Sequence, residues 1–369
     1  MLNYEYPPLG GGAGNATRYL LQEFSKNKKI KIDLITSSPN KYKEEKISKN
    51  IKIYFLDIGK NNLNLSSQRV KDLLIYSWKA YFLAKKLLNK ENYNFIHAFF
   101  GLPCGFLAYI LKKPYLLSLR GSDVPGHNTA FNIFHKFFYF INKLTWQKAK
   151  IVVVNSEDLK KTALKTRFVK KIRVIPNGVD CSFYKPINRK NSKKFKILFV
   201  GRLNKIKNLD KLIEAFSKIS KSTKNVILIL IGDGPEKNNL FKKCLNLCLD
   251  KKVIFKGWLP KEKLLKYYQN SHLFVLPSSN EGMSNALLEA LACGLPIICA
   301  NTGGAKSLVK KNGIILNKIT PFSLERAIKK MMNSSLTKMG KESRKIAQKN
   351  SWGKIAQMYL SVYKKIKYA

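Results

Sequence analysis

The stretch 277-PSSNEGMSNALLEALACGLPII-298 sets two carboxylates, Glu281 and Glu289, at the entrance and inside of one short helix. Ser278, Ser279 and Asn280 are N-terminal capping types, Gly282 lets a ligand approach closely, and Leu287, Leu288, Leu291 and Ala292 supply a buried stripe. The free N–H groups at such a helix start, near Met283, Ser284 and Asn285, make an anion site. Carboxylates beside an anion site find their use in accepting hydrogen bonds from ligand hydroxyls. A phosphorylated sugar offers both chemistries.

Outward from this helix, short apolar runs alternate with longer amphipathic ones, the pattern of parallel sheets wrapped by helices. Strands are expected at Ile30–Thr36, Ile51–Leu56, Asn94–Ala98, Tyr115–Leu119, Ile151–Val154 and Arg173–Ile175 in the first half. In the second half they are expected at Phe195–Val200, Val226–Ile231, Val253–Phe255, Leu273–Leu276, Pro296–Cys299 and Gly313–Leu316. The polar segment Lys185–Lys194 separates the two series as a linker. The predicted fold class is therefore α/β, with two Rossmann-like, doubly wound parallel-sheet domains. They are expected at residues 1–185 and 186–350, with a C-terminal helix at 351–369 packing back toward the first. Ligands of such sheets bind at the carboxyl ends of strands, which makes the interdomain cleft the expected site. Only Met1 to Tyr6 precede the loop Pro7-Pro8-Leu9-Gly10-Gly11-Gly12, so the first strand reads as clipped: either a start codon lies upstream of Met1, the favoured expectation, or the domain runs with a stunted central strand.

The 369 residues exceed what one core serves, and the 45% apolar content suffices for globular folding. Lys plus Arg number 69 against 22 Asp plus Glu, a net charge of +47. That surplus creates a positive field suited to an anionic membrane surface, although lysine scattered through every segment equally fits a compositional bias. No finger, RNP-like strand or Lys-ended phosphate loop supports nucleic acid as a partner. Six cysteines without a CxxC pair fit a reduced, cytoplasmic compartment, and four histidines show no metal-ligand spacing. The longest nearly uncharged apolar run, Ala98–Leu111, is shorter than the roughly 18 residues that cross a bilayer. Any membrane contact is therefore expected to be peripheral, at the inner face of the cell membrane.

At the end of the second domain's first strand, VGRLNKIKN (200 to 208) places Arg202 and Lys207 where two cations neutralise a diphosphate. Arginine is the rarer cation here and suits bidentate phosphate recognition. No Asp-x-Asp pair occurs, so cationic side chains and a helix start, rather than a metal, are expected to hold the phosphates. The glycine loop at Gly10–Gly14 reads equally as a tight strand-to-helix turn or a phosphate cradle. His97 and His127 have no evident carboxylate partner and read as satisfied or solvent-facing. The aromatic segment Phe131–Trp146, FNIFHKFFYFINKLTW, reads first as core-facing and second as a surface attachment to anionic lipid.

Together VGRLNKIKN, LIGDGPEKNNL, FKGWLP, IPNGVD and the Glu281–Glu289 spacing with EALACGLPII resemble the retaining glycosyltransferase family four, with its GT-B architecture and EX7E motif. The segment LRGSDVPG (119 to 126) resembles one subgroup, with Arg120 where many relatives have histidine. The resemblance implies that Glu281 lies against a donor sugar and Glu289 on ribose hydroxyls. It further implies that Arg202 and Lys207 contact the diphosphate, that Gly232, Trp258 and Leu259 border the base, and that Gly11 and Gly12 approach phosphate and sugar. Arg120 would act electrostatically, on phosphate or an anionic acceptor, while Asp123 would orient it or touch the sugar, or else serve as a turn residue. Ser307 stands where relatives often have glutamate.

The implied activity is sugar transfer from a nucleotide-diphosphate sugar to a saccharide or lipid-linked acceptor in envelope polysaccharide or glycolipid synthesis, with no cofactor. A noncatalytic partner-binding subunit and a sugar-nucleotide epimerase are the alternatives.

Overall fold

The computed structural model describes residues 1–60, 69–127, 132–188 and 193–367. Linker residues 189–192 and Phe131 lie outside them. The chain forms two compact units, Met1–Asn177 with Trp352–Ala369, and Gly178–Ser351.

The first unit contains β1 (Ile32–Ser38), β2 (Lys43–Ser48), β3 (Ile51–Asp57), β4 (Ile96–Phe99), β5 (Tyr115–Ser118), β6 (Ile151–Val154) and β7 (Arg173–Val174). They form two ladders, β1-β3-β2 and β4-β5-β6-β7. Leu2 joins the two, bridging in parallel to Ile35 of β1 and Ala98 of β4. The Leu2 N–H donates to His97 O at 2.9 Å and Phe99 N–H donates to Leu2 O at 2.9 Å. Met1–Asn3 thus take the central strand position. β2 escaped the sequence reading because its residues, KEEKIS, are exposed or half-exposed and carry no apolar alternation. It pairs antiparallel to the edge of β3, a charged edge of the kind that blocks further pairing.

The second unit is one parallel sheet of β8 (Phe195–Val200), β9 (Val226–Ile231), β10 (Val253–Phe255), β11 (Leu273–Leu276), β12 (Ile297–Ala300) and β13 (Gly313–Leu316). Its order is β10-β9-β8-β11-β12-β13. Its strands β9, β11 and β12 are buried throughout, as strands covered by helices on both faces must be.

The division between units falls at Asn177, earlier than the expected boundary at Lys185. Arg344 explains the shift: its guanidinium donates to Tyr184 O at 2.6 Å and Cys181 O at 2.8 Å, while Val179 bridges to Ser351. These contacts tie residues 179–184 to the second unit. The Trp352–Lys367 helix belongs to the first, burying Trp352, Ile355, Tyr359, Val362 and Tyr363 in a cluster with Leu20, Leu21 and Phe24 of the Gly12–Ser25 helix.

The aromatic segment departs from its core-facing reading. It forms the helices Asn132–Phe137 and Tyr139–Lys148, which bury His135, Asn142, Thr145 and Trp146 and leave Ile133, Phe137 and Phe140 outside. Trp146 packs edge-on to Phe168, their ring centres 5.3 Å apart.

Candidate functional site

The second unit reverses its strand order at β8, with β9 and β10 to one side and β11 to β13 to the other. The switch point lies between the carboxyl ends of β8 and β11, where open parallel sheets bind ligands. The β8 loop carries Arg202 and Lys207, and the β11 loop runs through Glu281 to Ser284. The two loops are stapled together. Ser279 N–H donates to Ile206 O at 2.8 Å and Asn208 Nδ2 to Pro277 O at 2.9 Å.

Lys207 Nζ forms an ion pair with Glu281 Oε1, and both side chains are largely buried. Arg202 is exposed, its carbonyl accepts from Asn204 N–H at 3.1 Å, and among the described residues its guanidinium makes no hydrogen bond or ion pair. Lys207 is therefore a cation already neutralised, whereas Arg202 is one still available to an anion.

The helix of the 277–298 stretch spans Asn285–Ala292 and is capped by Ser284, whose hydroxyl accepts from Leu287 N–H at 3.3 Å. Ser278, Ser279 and Asn280 do not cap it. The carbonyl of Ser278 accepts from the Thr302 hydroxyl and Ser279 is bound to Ile206, so this part of the loop spans the crevice instead. Glu281 and Gly282 precede the helix, Met283 is buried, and Asn285 and Ala286 form its first turn. Gly303 closes the back of the loop at φ +55°, and a Cβ there would stand 2.2 Å from Gly282 O.

Glu289 lies one turn inside the helix. Its Oε2 accepts from the Tyr268 hydroxyl at 2.9 Å. Burial pushes its carboxyl up to about 7, an effect that Tyr268, Lys261 and Tyr184 oppose only in part. A half-buried carboxylate with a proton to lose near neutrality is a strong acceptor for ligand hydroxyls. Tyr268, its main support, was invisible in the sequence because only the fold brings it there.

Gly232 follows β9 at φ +132°, and a Cβ would meet Gly201 O at 2.0 Å. Its N–H donates to Gly257 O at 2.8 Å, and Gly201 N–H donates to Ile231 O at 2.9 Å. The loops after β8, β9 and β10 thereby run in close contact. Trp258, on the β10 loop, is 74% exposed, a bare indole face, while Leu259 turns onto the core.

In the first unit the expected residues have internal partners. Asp123 is buried, and its carboxylate accepts from the N–H groups of Arg120 (2.8 Å), Gly121 (2.8 Å) and Gly101 (3.1 Å). It is a staple for two loops, and it does not reach the Arg120 guanidinium. That group donates to Asn177 Oδ1 at 3.1 Å and to the Tyr359 hydroxyl at 3.2 Å, and lies 4.8 Å from the Phe99 ring centre. His97 is buried between the Tyr363 and Ser118 hydroxyls, the satisfied histidine expected.

Gly12 opens the Gly12–Ser25 helix, but the Gly11 N–H donates to Glu5 Oε2 at 3.2 Å. The Glu5 carboxylate thus sits where an anionic ligand of this loop would sit. Its carboxyl is pushed up by burial, with the Gly11 and Gly14 amides opposing. Glu5 was missed in the sequence, where a carboxylate directly before Pro-Pro and a glycine loop was the available signal. Among the described residues no three His, Cys, Asp or Glu side chains cluster as metal ligands, and no helix is long and apolar enough to cross a membrane.

Comparison with known proteins matches residues 181–351 to the model "Glycosyl transferases group 1" and residues 10–183 to "Glycosyltransferase Family 4". An uncharacterised glycosyltransferase of Methanocaldococcus jannaschii is 25% identical, over 99% of this chain and 97% of its own. The Escherichia coli UDP-Gal:alpha-D-GlcNAc-diphosphoundecaprenol alpha-1,3-galactosyltransferase is 29% identical, over 83% of this chain and 82% of its own. Sucrose-phosphate synthase from Thermosynechococcus elongatus superposes with a TM-score of 0.82 at 20% identity, covering 99% of this chain and 98% of that one. That likeness shows the shared GT-B fold of two Rossmann-like domains.

Proposed function

Because the chain belongs to the glycosyltransferases, of group 1 over residues 181–351 and family 4 over residues 10–183, we propose that it moves a sugar from a nucleotide-diphosphate sugar to a hydroxyl acceptor with retention at the anomeric carbon. The observation that carries the site assignment is Arg202, an exposed cation at the switch point of the second sheet whose guanidinium meets no partner among the described residues. As the bond to the sugar breaks, the departing diphosphate gains negative charge. Arg202 and the positive end of the Asn285–Ala292 helix stabilise that charge, joined by Lys207 when it leaves Glu281.

Glu281, held by Lys207 at the entrance, positions the donor sugar. Glu289 accepts from ribose hydroxyls, and Trp258 offers its exposed ring to the base. Neither glutamate is assigned as a nucleophile; the leaving phosphate takes the acceptor's proton on the same face. Cationic side chains and a helix start fill the role of a metal. The similarity to an enzyme whose name gives GlcNAc-diphosphoundecaprenol as its acceptor supports a lipid-linked saccharide acceptor, in envelope polysaccharide or glycolipid synthesis.

A thermal-shift screen of nucleotide sugars identifies the donor. Arg202→Ala is then expected to lower kcat/KM about thirtyfold, the effect of losing one charge-assisted bond of roughly 2 kcal/mol. A normal rate in that variant rejects the diphosphate assignment. Transfer is expected to continue at full rate in excess EDTA, and loss of activity that Mg²⁺ or Mn²⁺ restores rejects the metal-independent reading.

A further inference from the structure

The Val70–Lys90 helix packs Tyr76, Ile75, Leu83 and Leu87 against the core and carries a second set of bulky apolar residues on its outer face. Asp72, Tyr76, Ala80 and Ala84 form its buried face, and two of those four are alanines. The opposite side carries Val70 (64% exposed), Leu74 (65%), Trp78 (69%) and Phe82 (50%), spaced four residues apart along one stripe. Trp78 and Phe82 pack edge to face at 4.8 Å, and Tyr81 meets Phe82 at 5.4 Å, so the stripe is an ordered aromatic cluster. A helix that serves only its own core places such residues inward.

The charges on the same helix identify what covers the stripe. At 100° per residue, Lys71, Lys85 and Lys86 project on the side of Leu74, Trp78 and Phe82, and all three are exposed. The helix has one carboxylate, Asp72, and it is buried. Against a second copy, these lysines would oppose one another on chains that each carry +47. Against an anionic bilayer, each lysine meets headgroup phosphate while indole and phenyl rings enter the interface. The Asn132–Phe137 and Tyr139–Lys148 helices repeat the composition, with Ile133, Phe137 and Phe140 exposed, lysines at 136, 143 and 148, and no carboxylate. The Val70–Lys90 and Tyr139–Lys148 helices both pack against the Gly101–Gly105 turn.

We propose that the outer face of the Val70–Lys90 helix is a docking surface for anionic phospholipid, with Trp78 and Phe82 inserted and Lys71, Lys85 and Lys86 on the headgroups. The inference holds whatever the acceptor is. It is tested by co-sedimentation of the full chain with phosphatidylcholine vesicles, with and without phosphatidylglycerol. Binding is expected only with phosphatidylglycerol. It is expected to weaken on the order of tenfold in Trp78→Ser/Phe82→Ser and again in Lys85→Glu/Lys86→Glu. All four positions are exposed, and circular dichroism confirms that the variants stay folded.

Equal binding to both vesicle types, or none to either, overturns the proposal, as does unchanged binding by the Trp78→Ser/Phe82→Ser variant. A concentration-dependent dimer in light scattering that the same pair of substitutions abolishes assigns the face to a second copy instead.

Discussion

Glu289 is the residue whose chemistry the structure defines most sharply. Its folded-state carboxyl near pH 7 lies above the ordinary value of 4.5, with burial as the leading cause. The folded chain thus holds a proton that the unfolded chain releases, and stability falls as pH rises from about 4.5 to about 7 and stays reduced above that. Glu289→Gln removes the titration and keeps an acceptor for the Tyr268 hydroxyl. The variant is expected to match the parent near pH 4 and to exceed it at pH 8. The gain is at most about 3 kcal/mol, from about 1.4 kcal/mol per unit, and is read by urea melts across that range. If Glu289 binds ribose, the same variant raises donor KM and leaves acceptor KM unmoved. Sequence reading found Glu289 but not its buried state, because Tyr268, which supplies its hydrogen bond, is set beside it by helix packing alone.

At the scale of elements, the site is a row of loop ends held by backbone contacts too close for any side chain. Gly232→Ala places a methyl group 2.0 Å from Gly201 O at a positive φ, so the β8 and β9 loops must part. A loss of about 2–4 kcal/mol in chemical denaturation is expected, with donor binding reduced even where the variant folds. Strands that are continuous apolar runs, such as β9 and β11, were legible to within a residue because burial on both faces leaves only apolar choices. β2 was not, since an exposed edge strand imposes no pattern. Capping failed for a different reason: 277–284 offers four capping side chains, and which of them caps depends on how the loop is held, with the Ser279 hydroxyl donating to Ile206 O and the Ser278 carbonyl accepting from the Thr302 hydroxyl. In the loop that carries Gly11 and Gly12, the Gly11 amide donates to Glu5 Oε2, a partner that only the fold reveals.

For the whole molecule, the charge of +47 is either a working field or a by-product of composition, and salt separates the two. Screening shortens from about 30 Å at 0.01 M to about 10 Å at 0.1 M ionic strength. A working field predicts that kcat/KM for an anionic donor falls on the order of tenfold over that range, through association. A flat profile in steady-state kinetics assigns the charge to composition. The Trp352–Lys367 helix carries a further consequence, for the order of events during synthesis. Gly178–Ser351 is one continuous run, whereas the first unit buries Trp352, Tyr359 and Tyr363, which are translated after it. A chain emerging from the ribosome ordinarily folds its N-terminal domain first. Here the unit that is second in sequence is the first that can close, and the N-terminal unit must wait, with its core open, for the helix that follows the second unit.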